Sequence, residues 1–600
     1  QPLSGLGDGD DELCSVVLHE PSVEDGARPG MPPVPFAAMA NVPLDRFVRY
    51  PELVELLDTL AAERPDLISL SEIGRSHEDR AITLCTITNS ATGPHDQKPA
   101  IWLDANIHAT EHTGGTAALN LINRLITEYG TDERITRALD TRCFYIVPRL
   151  NPDGVELGLA ERPKYVRSSA RHYPRTDQQD GLIAEDMDGD GRILTMRIPD
   201  PNGVWKTYFD DPRLLVPRGP DEEGPGPYYR LLPEGRIQNY DGVTVKHAPA
   251  LHGLDLNRNY PIEWRPEGEQ FGAGPYPTSE PEIRAVVQAI VDRPNICAFI
   301  QYHTMSGVHL RPYGTQSDDG LPTFDLRVFK EIGKQATEIT GYPAVSVYHD
   351  FRYDPKDSIT GVADDWAYDH LGVHAWTTEF WSPMRAAGIT DYKFIEWWID
   401  HPLEDDLKML AWADEQLPGE GFVDWYTYEH PQLGTVELGG FNSALWIRNP
   451  PPHLLADEVA PHADFAIWHL LISPLIRLRS TEVTAVGDGA WRVRAVVENT
   501  GWLPTNVTQK ALDRKAVRAT EAELFVTDGV EVVGEAKLEI GQLAGRVGKH
   551  SMLGGFGGTT DTTVDRAKAE WIVRGPSGAT VTVEIRHQRA GTVRADLTLG

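Results

Sequence analysis

Histidines and carboxylates at the ends of apolar runs are the residues best placed to do chemistry in this chain. His108 and Glu111 stand three apart in His-Ala-Thr-Glu, directly after the run IWLDANI. His303 ends CAFIQYH, Glu379 ends HAWTTEF, and Asp255, Asn257 and Arg258 sit together in DLNR. Two imidazoles and a carboxylate with an open fourth position suit a catalytic zinc ion, whose open position holds a water. Each residue alone is a weak signal, because a single His after a strand is ordinarily structural. Their shared placement at strand ends, where α/β proteins carry ligands, strengthens the reading.

The surrounding pattern supplies elements that would hold them. Helical spacing runs through FVRYPELVELLDTLAAER, followed by the strands AITLCTITN and PAIWLDANIH. A helix, GGTAALNLINRLITEYG, precedes the strand CFYIVPRLNPDG. Alternation of this kind predicts an α/β domain with a mixed, largely buried sheet. It lapses over 171–253, a polar stretch rich in Pro and Gly, and resumes at LDLNRNYP. The helix FDLRVFKEIGKQATEI follows, and one long helix, IEWWIDHPLEDDLKMLAWADEQ, is expected to close the domain near residue 420. Residues 421–475 read as a connecting region. From 476 to 600, short alternating strands between Gly turns predict an all-β sandwich. Residues 1–40, acidic and rich in Pro and Gly, read as an extended arm. The domain division is thus 1–40, 41–420 with the insertion 171–253, 421–475 and 476–600.

Composition narrows the partners. The 600 residues carry 56 Lys+Arg against 89 Asp+Glu, a formal net charge of −33. That charge disfavours nucleic acid and anionic membrane surfaces. No apolar run reaches the roughly 18 residues that span a bilayer. Of four cysteines, Cys85, Cys143 and Cys297 lie in apolar runs and read as reduced core thiols, with Cys14 in the arm. This usage favours a cytoplasmic over a secreted location, and the oligomeric state is not legible. The arm is too short and unpatterned for a blocking pro-domain, so the chain is expected to be active as written.

HATE (108–111), NPDG (151–154), DLNRNY (255–260), QYH (301–303), RPYG (311–314), DDWAYD (364–369) and TTEF (377–380) occur in this order. With them, residues 45–420 resemble the zinc carboxypeptidases of the M14, carboxypeptidase A/B-like, family. The resemblance implies that His108, Glu111 and His303 bind zinc and that Asp255 orients the first imidazole. It implies that Asn257 and Arg258 hold the terminal carboxylate of a peptide or protein, and that Arg167 in KYVRSS meets the developing oxyanion. Glu379 would be the general base, taking a proton from the attacking water and passing it to the leaving amine.

Departures from the family pattern bear on specificity and on a second metal. Tyr348 aligns best with the family's mobile tyrosine, with Tyr353 as its rival. Asp364 falls at the base of the pocket for the last side chain, where an acid accompanies basic C-terminal residues. Within the insertion, Asp186, Asp188 and Asp190 in DMDGDGRI form the first half of a calcium loop, but the closing position holds Arg197 rather than Glu. A distant carboxylate would have to complete it; otherwise it is a solvated acidic turn. Two other functions fit less of the pattern. One is an amidase-like peptidase on peptidoglycan stems or modified peptides. The other is a non-catalytic, calcium-stabilised binding protein.

Overall fold

The apolar runs of the first two thirds of the chain assemble into one eight-stranded mixed sheet. In the computed structural model its order is Ile68–Arg75, Ala81–Ile87, Cys143–Val147, Ala100–Ala105, Ile296–Thr304, His374–Phe380, Val308–Arg311 and Ala344–Ser346. The structure describes residues 42–600 except 225, 353–355, 357 and 548–560. The expected arm, Cys14 and Tyr353 lie outside the described residues. The central strands run parallel, and Ala100–Ala105 and Ile296–Thr304 are buried at every position. Strands covered on both faces read as continuous apolar runs, which is why these segments were so clear in the sequence.

The expected single helix over 395–416 is instead two, Phe394–Ile399 and Leu403–Gln416. Pro402 stands at the N-cap of the second. Proline disfavours helical backbone in the residue before it and brings no amide hydrogen, so the first helix cannot run through.

The polar insertion and the connecting region share one sheet. Thr195–Pro199, Trp205–Thr207, Leu215–Pro217 and Tyr229–Pro233 join Phe422–His430 and Gly434–Phe441 in six strands. The stretch 421–475 also supplies the helix Pro452–Leu471. That helix packs on Thr113–Thr127, Thr323–Thr340 and the buried strand Ile296–Thr304. It therefore completes the layer over the central sheet.

The C-terminal region has two four-stranded antiparallel sheets. Their inner faces, with Val493, Trp571, Leu524 and Val583 among others, enclose one apolar cluster, as an all-β sandwich requires. Cys85, Cys143 and Cys297 are free and buried. Among the described residues no helix is long and apolar enough to cross a membrane.

Candidate active site

Two parallel strands bring the key groups to one level. His303 on Ile296–Thr304 pairs in register with Glu379 on His374–Phe380. On the other side of His303's strand, Ala100–Ala105 runs into the loop that carries His108 and Glu111. Asn106 turns this loop with a φ of 57°, and its amide donates to the Glu111 carbonyl at 2.6 Å. The helix Thr113–Thr127 starts at once and presses close to the loop. A Cβ on Gly115 would lie 2.2 Å from Asn106 Oδ1, so only glycine fits there. The NPDG motif acts on the same loop: Asn151 donates to the carbonyls of Ile107 at 3.1 Å and Ser168 at 2.7 Å. It thereby ties the residue before His108 to the residue after Arg167.

His108, Glu111 and His303 are all buried, and their ligand atoms lie within 4.8 Å of one another. His108 Nδ1 is 2.8 Å from Glu111 Oε1, His303 Nδ1 is 3.0 Å from Glu111 Oε2, and the two Nδ1 atoms are 3.1 Å apart. The other ring nitrogens fix the tautomers. His108 Nε2 faces Asp255 Oδ1 at 3.0 Å, and His303 Nε2 faces Gln301 Oε1 at 2.8 Å. Both partners are acceptors, so the Nε2 atoms carry the protons and the Nδ1 atoms present lone pairs. Two lone pairs and a carboxylate converge on one buried spot. That donor set fits a divalent cation, and its nitrogen–oxygen chemistry is that of zinc.

The electrostatics agree. Burial pulls the His303 imidazole down to about 4, which keeps it neutral. Burial works against the Glu111 and Asp255 carboxylates, yet both are held well below the ordinary range. The facing imidazoles do this for Glu111 only as proton donors, a place that a bound cation would take over; Arg167, His108 and Arg258 do it for Asp255. Arg167 spans the two, with Nη1 3.0 Å from Glu111 Oε1 and Nε 3.1 Å from Asp255 Oδ2. Glu379 behaves oppositely: burial first, then the Glu111 charge, pushes its carboxyl well above the usual value. Its Oε2 is buried and meets no protein donor.

These groups open onto a cleft of about 800 Å³ lined by Glu111, Arg167, Asp255, Arg258 and Glu379. Asn257 lies beneath it, accepting from the Ala363 amide at 2.9 Å. Asp364 is buried (4% exposed) and does not line the cleft; burial lifts its carboxyl to about 6. Neither it nor Asp365 forms an ion pair among the described residues. Tyr348 lines a neighbouring cavity of about 620 Å³ instead, with the Arg352 guanidinium 3.7 Å from its ring centre. Phe351 and Phe394, stacked at 5.5 Å, border both cavities.

The acidic loop of the insertion is closed from afar. Asp186 and Asp188 come within 4.8 Å of Glu234, which is buried. Asp190 points elsewhere, onto the Arg192 amide and guanidinium at 2.8 and 2.7 Å. Glu234 also takes the amides of Met187 and Leu194, at 2.6 and 2.9 Å.

Several site residues had no role legible in the sequence, including Gln301 of the QYH motif and Tyr165 of KYVRSS. Gln301 orients His303 and is held in turn by Asp104 Oδ1 at 2.8 Å. Tyr165, Ser443, Ile447 and Arg448 complete one wall of the cleft. Asn449, beside that wall, bonds the metal loop from a position 336 residues downstream.

Comparison with known proteins agrees with the geometry. A profile described as zinc carboxypeptidase matches residues 53–212 and 229–396, more than half of the chain. Residues 475–598 match a domain of unknown function. Carboxypeptidase A2 of Rattus norvegicus is 26% identical over 331 residues, 54% of this chain and 59% of that protein. Carboxypeptidase B of Astacus astacus is 24% identical over 338 residues, 55% of this chain and 84% of that protein. The chain thus spans about 59% of the length of the A2 relative. Among solved structures, thrombin activatable fibrinolysis inhibitor aligns over 62% of this chain and 75% of its own, at 18% identity and a TM-score of 0.38. Carboxypeptidase A from Helicoverpa armigera aligns over 64% and 77%, with the same identity and score. The profile match across the catalytic strands and their motifs shows that this chain belongs to the zinc carboxypeptidase family.

Proposed function

We propose that this chain is a zinc-dependent carboxypeptidase that hydrolyses the last peptide bond of peptides or proteins. The observation that carries the reading is the convergence of two imidazole lone pairs and the Glu111 carboxylate, beside a buried Glu379 with an unmet oxygen. His108, Glu111 and His303 would hold the ion. Bound there, zinc acidifies a water and polarises the scissile carbonyl.

The remaining work falls to the chain's own side chains. Glu379, raised in pKa and partly freed of donors, takes the proton of the attacking water and returns it to the leaving amine. Arg167 reaches the cleft and supplies positive charge where the oxyanion develops. Arg258 takes the terminal carboxylate, and Asn257 holds the turn at Ala363 that abuts it. A preference for basic C-terminal residues rests on Asp364 alone: its buried carboxylate has no ion-pair partner, and a substrate cation would offset that cost only if the cleft opened inward to this residue, which lies outside its lining. In the insertion, Asp186, Asp188 and Glu234 would hold calcium, a hard cation that takes carboxylate oxygens.

The test is Glu379→Gln, read on activity and on zinc content together. Loss of about 10²- to 10⁴-fold in kcat with one zinc retained per chain is the expected result. Full activity in the variant, or a wild-type protein that binds no zinc, would refute the reading.

A further inference from the structure

The wall of the cleft contributed by residues 443–448 lies beyond the family match, which ends at 396. This wall is rigidly built. Trp446 is fully buried, and its indole donates to the Gly421 carbonyl at 2.8 Å. Asn449 is 1% exposed and bonds Thr110 and Thr113, on either side of Glu111. Arg448 lies between these two anchors. Its Nε donates to Tyr165 Oη at 3.0 Å, with the guanidinium carbon 5.3 Å from the ring centre. Tyr165 therefore aims the guanidinium without neutralising it. Neither Arg448 nor Arg258 has a carboxylate within ion-pair distance among the described residues.

The two arginines act on different flanks. Arg258 is framed by Gly361 and, through its neighbour Asn257, by the Ala363 amide, whereas Arg448 is bonded to Tyr165, two residues before Arg167, and its neighbour Asn449 is bonded to the loop that carries Glu111. A substrate whose terminal carboxylate sits on Arg258 passes Glu379 and meets Arg448 with the part that precedes the cleaved bond. We infer that Arg448, held by Tyr165, is a specificity-determining residue that selects peptides with an acidic side chain just N-terminal to the cleaved bond. The inference rests on the carboxypeptidase reading and adds a subsite to it. A half-exposed charge pair of this kind is worth roughly three- to tenfold in rate.

The test uses peptide pairs that differ only by Glu or Gln at one of the two residues before the cleaved bond. Each pair competes in one tube, so product ratios give the ratio of kcat/KM directly. Wild type should favour Glu by about three- to tenfold at one position. In Arg448→Gln that ratio should fall to about 1. In Arg448→Glu a Lys peptide should outrun its Gln partner, a reversal that an unfolded variant cannot show. Equal cleavage of both members by wild type at both positions overturns the inference alone. So does a Glu preference that survives Arg448→Gln. No cleavage of any pair by the zinc-loaded chain overturns the carboxypeptidase reading and the inference with it.

Discussion

Asn449 offers a quantitative handle on how a segment outside the family match supports the metal loop. Its Oδ1 accepts from the Thr113 amide at 3.1 Å and the Thr113 hydroxyl at 2.9 Å, and its Nδ2 donates to the Thr110 carbonyl at 2.9 Å. Asn449→Ala would leave one buried amide and one carbonyl unmet; the Thr113 hydroxyl can rotate to another acceptor. At about 1 to 2 kcal/mol for each unmet group, unfolding in urea should become easier by about 2 to 4 kcal/mol. The loop between His108 and Glu111 should also lose its fixed geometry. Loss of an outer support of metal ligands costs about 10- to 100-fold in affinity. Zinc competition against a chelator of known affinity reads that term without any turnover. Asn449→Asp keeps the acceptor but removes the donor and buries an unpaired charge against the Thr110 carbonyl, so at neutral pH it should be at least as damaging as Ala. A variant that loses stability but binds zinc as tightly as wild type would refute the reasoning, because the segment would then only pack.

Three further outcomes follow from groups away from the metal. His469 is buried and stacked on Phe465, and burial holds it down to about 3 against about 6.5 when unfolded. Its lowered folded value means full stability above about pH 6.5 and loss as pH falls toward 3, about 2 kcal/mol at pH 5. His469→Phe should remove that share of the difference between urea unfolding at pH 7.5 and pH 5, and an unchanged difference would contradict the assignment. Arg589 is buried on the C-terminal sandwich and donates to the Leu371 and Gly372 carbonyls of the catalytic part. The Thr508 hydroxyl also donates to Gly372 at 2.8 Å, so Arg589→Ala should cost about 1 to 3 kcal/mol through the unmet Leu371 carbonyl, lowering the urea midpoint; no change would mean that this contact does not hold the sandwich in place. Calcium should raise the Tm at millimolar concentration, and Glu234→Gln should abolish the rise; no rise in wild type would leave the loop as a turn closed by Glu234.

The catalytic strands were legible because strands buried on both faces leave unbroken apolar runs, and because His108, His303 and Glu379 each stand at the end of one. His108 and Glu111 are three residues apart, so their partnership is visible locally. Glu234 is not visible in that way: it lies 48 residues beyond Asp186 in a strand–turn of no distinctive composition. The six-stranded sheet of the insertion was hidden for the same reason. Its strands are three to nine residues long, and Thr195–Pro199 finds its partner Gly434–Phe441 far along the chain. Arg448 and Asn449 belong to no motif, and only folding brings them to the cleft. Pro402 stood in plain view within the pattern read as one helix, and local backbone chemistry outweighed apolar spacing there.

The central claim is that the cleft removes residues one at a time from free C-termini. Mass spectrometry of a mixed peptide pool tests it most directly, with half the peptides ending in a free carboxylate and half in an amide, and a chelator-treated control. The account predicts stepwise, chelator-sensitive trimming of the free set alone, with Lys and Arg lost first if Asp364 sets the pocket. Equal trimming of amidated peptides, or trimming that survives the chelator, would contradict it.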